Sequence, residues 1–162
     1  MNPPIIDLDA FDRRILTALM EDGRLTNVAL SEVVHLSPSQ CSRRVQRLEE
    51  AGILQGYTAR IDPAAVGLGV TALVSVTLEK HGRNPATDFH EAVAAAPEIL
   101  ECAMTTGDAD YLLRVVAPDL RRFSRFLMDH LMRVPGVQHV RSSIVLESIK
   151  STTSLPLPPP AP

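Results

Sequence analysis

Polar side chains between positions 37 and 47 have the types and the spacing that bind nucleic acid. On a helix that turns by about 100° per residue, Cys41, Val45 and Leu48 share one side. The opposite side carries Ser39, Gln40, Arg43, Gln46 and Arg47, with Arg44 at its edge. Amide and guanidinium groups bond base edges in the major groove, and arginines and hydroxyls bond phosphates. The residues that begin this helix and the helix before it can also reach DNA. We therefore expect double-stranded DNA to contact Thr26, Ser37, Ser39, Gln40, Ser42, Arg43, Arg44 and Arg47.

Three short helices are predicted to position these side chains. The first runs from Leu8 to about Met20, where Asp9 and Asp12 have the spacing of a capping box, and Gly23 ends it. Thr26 is a suitable cap for the second helix. His35 then falls where the chain must turn.

The third helix, from Pro38 to Ala51, has the strongest boundary signals of the three. Ser37 can cap it, proline is tolerated at a first helical position, and Gly52 stops it. Two helices joined by a tight turn form the helix-turn-helix pattern. A solvated charged face on an ordinary helix is the competing interpretation of the arginines. The capped helices before them favour DNA binding.

Composition limits where the charge for DNA binding can lie. The chain has 162 residues and a formal net charge of -3, so a DNA contact must come from a local patch. From Ser37 to Arg60 there are four arginines and two glutamates, so 4 - 2 leaves +2. We find no membrane-spanning run and no secretory signal, which makes the cytoplasm the expected location. Cys41 and Cys102 are far apart and lack metal-ligand spacing with the histidines, so no metal or other cofactor is expected.

The second half alternates strand and helix patterns. Val70 to Glu79 has period-2 character, and a helix begins at Asn84-Pro85. Two strands, Ile99 to Thr105 and Tyr111 to Val116, are joined by a turn that contains Gly107. A helix near Asp119 and a strand from Val137 to Ile149 complete a βαββαβ order, the ferredoxin-like arrangement.

The expected fold class is therefore α+β, with a winged-type helix-turn-helix domain before the ferredoxin-like domain. The segment ILQGYTARID, which follows Gly52, alternates like a strand. The domain limits are predicted at residues 1–60 for the helix-turn-helix, 61–69 for a linker and 70–150 for the ferredoxin-like domain. Residues 151–162 form a tail whose proline-rich end is expected to be mobile.

Two long sequence segments, taken together in their order and spacing, resemble one family of regulators. LSPSQCSRRVQRLEEAGIL in the first half and TGDADYLL in the second resemble the Lrp/AsnC, or feast/famine, family, and the resemblance extends from about Leu8 to Leu157. It implies a transcriptional regulator and not an enzyme, with a C-terminal (RAM) domain that binds an amino acid or related metabolite. It also implies homodimers that assemble into tetramers, octamers or higher rings.

The same resemblance implies an effector loop, together with contacts from the last strand. The residues concerned are Thr105, Thr106, Gly107, Asp108, Ala109, Asp110, Tyr111, Ser142 and Ser143. Many relatives carry an aromatic residue at the position of Ala109, so the identity of the ligand stays open. From the residues alone, a plain hairpin explains Gly and Asp at this turn as well.

Two other functions compete with an amino-acid-responsive regulator. The C-terminal domain could serve assembly alone, in an effector-independent architectural DNA-binding protein. An enzyme is the third possibility, because ferredoxin-like domains host many activities. The sequence offers no nucleophile–base pair, metal cluster or phosphate-binding glycine loop to support it.

A physical argument also favours oligomers. Both faces of the predicted strands are apolar, as at Leu73 and its neighbour Val74. A sheet with helices on one face must cover the other, and a second subunit can do so. We therefore expect a dimer at least.

Overall fold

The computed structural model describes residues 8–79 and 85–158. The chain divides into two compact units. The first unit consists of Met1–Arg60 together with Lys150–Pro162, and the second unit consists of Ile61–Ile149. The predicted helix-starting Asn84 lies outside the described residues, whereas the helix itself is described from Pro85. No helix within the described ranges is long and apolar enough to cross a bilayer.

Three helices form the first unit: α1 (Ala10–Glu21), α2 (Asn27–Val34) and α3 (Pro38–Glu50). The side chain of Asp9 accepts hydrogen bonds from the N–H groups of Phe11 and Asp12, and the Asp12 side chain accepts one from the N–H of Asp9. This is the predicted capping box. Thr26 and Ser37 cap α2 and α3 as the sequence indicates.

The core of the first unit is made by one apolar face from each helix. Its buried residues are Ile15, Leu16, Ala18, Leu19, Leu30, Val34, Cys41 and Leu48. Cys41 and Leu48 therefore face inward, as the helical periodicity of α3 predicts, and Val45 packs against them partly buried. The polar side of α3 is left to solvent.

His35 ends α2 in a left-handed conformation, with φ 58° and ψ 49°. It is the only residue other than glycine with a positive φ in the described ranges. Its N–H donates to the carbonyl of Ser31, and the chain then reaches Ser37 at the start of α3. The tight turn that the pattern requires is thus made by a residue whose side chain is sterically disfavoured there.

The second unit has the predicted βαββαβ order. Its elements are β1 (Val70–Leu78), α4 (Pro85–Ala95), β2 (Ile99–Met104), β3 (Tyr111–Ala117), α5 (Leu120–Asp129) and β4 (Val137–Ile144), with short 3-10 turns at Ala64–Val66 and Leu131–Arg133. The four strands form one antiparallel sheet in the order β2-β3-β1-β4. This order places β1 and β3, which are adjacent, at the centre.

The two faces of the sheet differ in burial. Ala72, Val74 and Val76 of β1 are fully buried, and Phe89 of α4 and Phe123 of α5 are buried in the same core, so the helices cover this face. The other face carries Leu73 and Leu112, which are 41% and 39% exposed. We call it the helix-free face. Within the part of the chain that the structure describes, no helix covers these two leucines.

Two segments differ from the strands predicted for them. No strand is assigned between Ile53 and Asp62, although the sequence alternates there. An extended segment forms a strand only when a neighbouring strand accepts its hydrogen bonds, and this one has no such partner in the described chain. The last strand ends at Ile144 instead of Ile149, because β1, its partner, extends only as far as Val70.

The tail makes contacts that its composition does not predict. Up to Pro158 it forms neither helix nor strand. Nevertheless, Leu157 packs against the core of the first unit, and the N–H of Leu155 lies 3.2 Å from the sulfur of Met20. The guanidinium of Arg13 donates to the carbonyl of Pro158. The tail therefore runs along α1 in the opposite direction to the helix.

Candidate functional site

The polar face of α3 is the first candidate site. The side chains predicted to lie outward are exposed, namely Ser39, Gln40, Arg43, Gln46 and Arg47, and so is Ser42, which was also predicted to contact DNA. Arg44, placed at the edge by periodicity, is partly buried. Thr26 and Ser37 lie at the starts of α2 and α3, where solvent reaches them. The structure therefore brings the predicted α3 residues onto one surface, with Thr26 at the start of the neighbouring helix.

A hydrogen-bonded cluster of polar groups surrounds the start of α3. The hydroxyl of Ser37 lies 3.1 Å from that of Ser39 and 3.0 Å from Oε1 of Gln40. Oε1 of Gln40 also accepts the N–H of Ser37 at 3.0 Å. These bonds fix the side chains at the positive end of the helix dipole, which favours an anion such as a phosphate.

Two arginines of α3 are held by a buried carboxylate on α1. Asp12 is fully buried, and Nη1 of Arg44 donates to its Oδ1 at 2.7 Å. Nη2 of Arg47 donates to its Oδ2. Asp9 adds a second ion pair to Arg44 at 2.7 Å, and the Arg44 guanidinium lies 5.5 Å from the ring centre of Phe11. Arg44 and Arg47 are thus anchored, and their positive charge is partly neutralised.

The ion pair between Asp9 and Arg44 shifts the pKa of both groups. Burial on its own would raise the pKa of Asp9, but the N–H of Asp12 and the guanidinium of Arg44 lower it below its usual value. Hydrogen bonds to Asp12 and then Asp9 raise the pKa of Arg44 further. Each partner therefore favours the charged form of the other.

Arg43 differs from its two neighbours. It is exposed, and no carboxylate forms an ion pair with it among the residues that the structure describes. It lines a surface cleft of about 460 Å³ together with Arg44, Gln46, Arg47 and Glu50. Gln46 donates to Glu50 at 2.8 Å, which keeps that carboxylate occupied by a side chain of its own helix. Arg43 is therefore the arginine of α3 whose full charge is available to a phosphate or a guanine.

The roles of Asp9, Asp12 and Phe11 in this surface were not predicted. Sequence reasoning placed Asp9 and Asp12 in a capping box, which accounts for both residues without any tertiary partner. Their second role depends on how α1 packs against α3, some 32 to 35 residues later in the chain. The signal that could have found it is an acidic residue on the buried side of an amphipathic helix, because a buried charge requires a partner.

The turn between β2 and β3 is the second candidate site. Thr105 to Asp110 connect the two strands, and Gly107 has φ 118°, which side chains rarely adopt. The N–H of Thr105 donates to the carbonyl of Asp110 at 2.9 Å, and the Thr105 hydroxyl donates to the carbonyl of Ala109 at 3.0 Å. These bonds shape the loop, in which Thr106 and Asp108 are exposed.

The two aspartates of the turn have different surroundings. Oδ2 of Asp110 accepts the N–H of Leu78 at 2.8 Å, and the Asp110 N–H donates to the carbonyl of Val76 at 3.0 Å. Asp110 therefore ties the turn to the end of β1. The side chain of Asp108 forms no ion pair with a described residue, so its carboxylate is available to a cation.

A cleft lined by both apolar and polar side chains lies beside the turn. It has a volume of about 340 Å³, and its apolar lining includes Leu78, Ala86 and Met104. Tyr111 lines it from the base of β3, and its hydroxyl lies 2.9 Å from Nε2 of His90. Burial, with Cys102 and Asp110 nearby, raises the pKa of Tyr111, so its hydroxyl stays protonated.

The structure separates Ser142 and Ser143 from the turn and from each other. On β4, Ser142 pairs with Val74 and Ser143 with Leu73, so the two side chains point to opposite faces. Tyr111 pairs with Val76, and β3 and β4 lie on either side of β1. At about 3.3 Å per residue and 4.8 Å per strand, Tyr111 and Ser143 are about 14 Å apart. Within one chain, the predicted effector residues therefore do not form a single pocket.

Neither cysteine is in a setting that activates a thiol. Cys41 is fully buried, and burial raises the pKa of its thiol despite the nearby Arg44. Burial also raises the pKa of Cys102. A thiolate is the reactive form, so both environments disfavour redox chemistry. In residues 8–79 and 85–158, no group of three or more His, Cys, Asp or Glu side chains could hold a metal ion.

The architecture and these two sites define a class of protein, which is a helix-turn-helix regulator with a separate ligand-binding domain. Residues 8–55 match the winged helix-turn-helix DNA-binding model, and residues 71–155 match the Lrp/AsnC ligand-binding domain model. The chain belongs to the Lrp/AsnC family of DNA-binding transcriptional regulators, which are not enzymes.

Similar proteins cover nearly the whole chain. The leucine-responsive regulatory proteins of Klebsiella pneumoniae and Escherichia coli K12 are each 41% identical over 149 residues, covering 92% of this chain and 91% of theirs. A transcriptional regulator of Neisseria meningitidis, solved as a complex with L-Met, is 48% identical with a TM-score of 0.89, covering 92% of this chain and 96% of that one. An AsnC family regulator of Agrobacterium tumefaciens is 38% identical with a TM-score of 0.85, covering 91% and 96%.

Proposed function

We propose that this regulator binds double-stranded DNA through the polar face of α3, as a homo-oligomer, and that an amino acid bound beside the β2–β3 turn changes that binding. The observation that supports the DNA contact is that the three arginines of α3 differ in their ion pairs and in their exposure. Arg44 and Arg47 are anchored on Asp12, whereas Arg43 is exposed and without an ion pair among the described residues. Ser37, Ser39, Gln40, Ser42 and Thr26 are proposed to bond bases and phosphates around it.

Arg43→Ala tests this assignment. Fluorescence anisotropy on a mixed-sequence duplex of about 30 base pairs is expected to show binding about tenfold weaker, with a salt slope shallower by about 0.9. Arg133→Ala, in the second unit, removes an exposed arginine that pairs with Asp129 and serves as the control. Equal affinities for Arg43→Ala and the wild-type protein would refute the assignment.

Chemistry at the turn supports an amino acid as the effector. The Asp108 carboxylate can pair with an α-amino group, and backbone N–H groups of the exposed turn residues Thr106 and Gly107 can bind an α-carboxylate. The apolar side of the neighbouring cleft suits an apolar side chain. The Neisseria regulator that was solved with L-Met has 48% identity to this chain, which makes L-Met the first ligand to test.

A thermal-shift screen with the twenty amino acids tests this part of the proposal. A ligand that binds only the folded protein raises its melting temperature by mass action. We expect L-Met or another apolar amino acid to do so at millimolar concentration, and Asp108→Asn to abolish the shift. If no amino acid stabilises the protein, the result contradicts an amino acid effector and favours the architectural alternative, in which the second unit serves assembly alone.

The helix-free face supports oligomerisation. Leu73 and Leu112 lie on neighbouring strands and are about two-fifths exposed, and a second copy would remove them from water. Association of copies would also allow the turn of one chain and a last-strand serine of another to contact one ligand. Sedimentation velocity is expected to show a dimer or a larger species, and Leu73→Asp to shift it towards monomer. A monomeric wild-type protein at micromolar concentration would contradict this proposal.

A further inference from the structure

Helix α5 carries a group of three arginines, Arg121, Arg122 and Arg125, which we call the α5 arginine cluster. All three side chains are exposed. At about 100° per residue they fall within an arc of about 100° on one side of the helix. Phe123, on the far side, is buried in the core of the second unit. The cluster is therefore a compact cationic surface on a helix that the sheet holds in place.

The nearby carboxylates do not neutralise this surface. Oδ1 of Asp119 accepts the N–H of Arg122 at 2.7 Å as the cap of α5. Asp129 pairs with Arg133 at 3.5 Å. In the described parts of the chain, no carboxylate forms an ion pair with any arginine of the cluster.

The position of the cluster is unfavourable for an isolated helix. Arg121 and Arg122 lie in the first turn of α5, where the helix dipole favours acidic residues. Arg121 and Arg125 are four residues apart, so their like charges face each other. The local charges thus oppose helix stability, and an anion against this surface would relieve their repulsion.

The charge of α5 can be compared with that of the proposed DNA-reading helix. Leu120–Asp129 contain three arginines and one aspartate, so 3 - 1 leaves +2. Pro38–Glu50 contain three arginines and two glutamates, so 3 - 2 leaves +1, and two of those arginines pair with Asp12. In a chain with a net charge of -3, α5 is therefore more cationic than α3.

We propose that the α5 arginine cluster binds the phosphate backbone of duplex DNA outside the segment contacted by α3. This proposal rests on the proposed function, because a protein that binds DNA through α3 keeps this polyanion at a high local concentration. Exposed arginines bond phosphate oxygens bidentately and without regard to base sequence. The contact lengthens the bound DNA segment and adds affinity that depends on the length of the duplex.

The triple variant R121Q/R122Q/R125Q of the full chain tests the proposal on two mixed-sequence duplexes. Binding to a duplex of about 150 base pairs is expected to weaken about tenfold or more, and its salt slope to fall by about 0.9 for each phosphate that the variant no longer neutralises. Binding to a duplex of about 20 base pairs, the length that two helix-turn-helix units one helical turn apart would occupy, is expected to change by less than about twofold. Glutamine is a good helix former, so the melting temperature should stay constant or rise.

Controls separate this proposal from the DNA-binding role of α3. Arg133→Gln removes an exposed arginine that is paired with Asp129, and both duplexes should bind it like the wild-type protein. Arg43→Ala should weaken binding to both duplexes alike. If it does not, the proposed DNA-binding role of α3 is contradicted, whatever the triple variant shows. Equal weakening on both duplexes in the triple variant, or unchanged binding to both, would overturn the role of the cluster. If the triple variant bound both duplexes normally but no longer bound vesicles of anionic lipid, the surface would belong to a membrane contact.

Discussion

The buried carboxylate of Asp12 on α1 accepts a 2.7 Å hydrogen bond from Nη1 of Arg44 on α3. Asp12 thereby has two functions, since it also completes the capping box that begins α1. Through Arg44 and Arg47 it connects the helix that supports the first unit to the helix proposed to read DNA. We therefore expect the stability of this unit and its affinity for DNA to be coupled through one side chain.

Asp12→Asn is expected to lower the free energy of unfolding by about 2 kcal/mol, because two arginines lose a buried charged partner while the cap acceptor is kept. A double-mutant cycle with Arg44→Met should give a coupling energy of about 1 to 3 kcal/mol in urea unfolding. Glu21→Gln, an exposed change on the same helix, should stay within about 0.5 kcal/mol. A coupling energy near zero would show that the pair is unimportant for stability.

The same substitution is expected to strengthen sequence-independent DNA binding. Asp12→Asn removes the charge that partly neutralises Arg44 and Arg47, so more positive charge is available to phosphates. We expect tighter binding to a mixed-sequence duplex and a salt slope that is steeper by up to about 0.9 per arginine released. A slope equal to that of the wild-type protein would mean that Asp12 only orients the arginines.

Asp9 makes the first unit sensitive to acid. Its pKa is below the usual value in the folded protein, because the Asp12 N–H and Arg44 outweigh the effect of burial. A lowered folded pKa contributes stability that is present above the unfolded pKa and is lost as the pH falls through the folded value. Asp9→Asn keeps a good N-cap but removes this linkage. Unfolding free energies measured from pH 5 downward should therefore fall less steeply for the variant, and parallel curves would refute the linkage.

Local signals predicted the elements of this fold well, because the residues that decide them are close in sequence. Asp9 with Asp12 and Ser37 with Gln40 form the capping boxes of α1 and α3 within four residues. The tertiary partner of Asp12 could not be found this way, since helix packing determines it. Similarly, the resemblance implied Ser142 and Ser143 as neighbours in one site. Strand alternation alone puts them on opposite faces, but only the register of β4 on β1 shows which of the two lies on the helix-free face.

His35→Gly is expected to stabilise the first unit. His35 has φ 58°, a conformation in which a Cβ is crowded and which glycine adopts freely. Relief of this strain, reduced by the greater freedom of glycine in the unfolded chain, should raise the free energy of unfolding by about 1 kcal/mol. Val33→Gly, at an exposed helical position two residues earlier, should lower it by a similar amount. Destabilisation by both changes would show that the His35 side chain makes a compensating interaction.

The tail is expected to stabilise the first unit through one leucine. Leu157 is partly buried against its core, whereas Leu155 of the same tail is 70% exposed. Leu157→Ala should therefore cost about 1 kcal/mol, and Leu155→Ala, the same chemical change, should cost much less. Hydrogen exchange of the α1 amides between Ile15 and Leu19 measures the effect where the tail lies, so faster exchange is expected only for Leu157→Ala. Equal exchange in both variants and in a chain truncated after Lys150 would mean that the tail does not dock in solution.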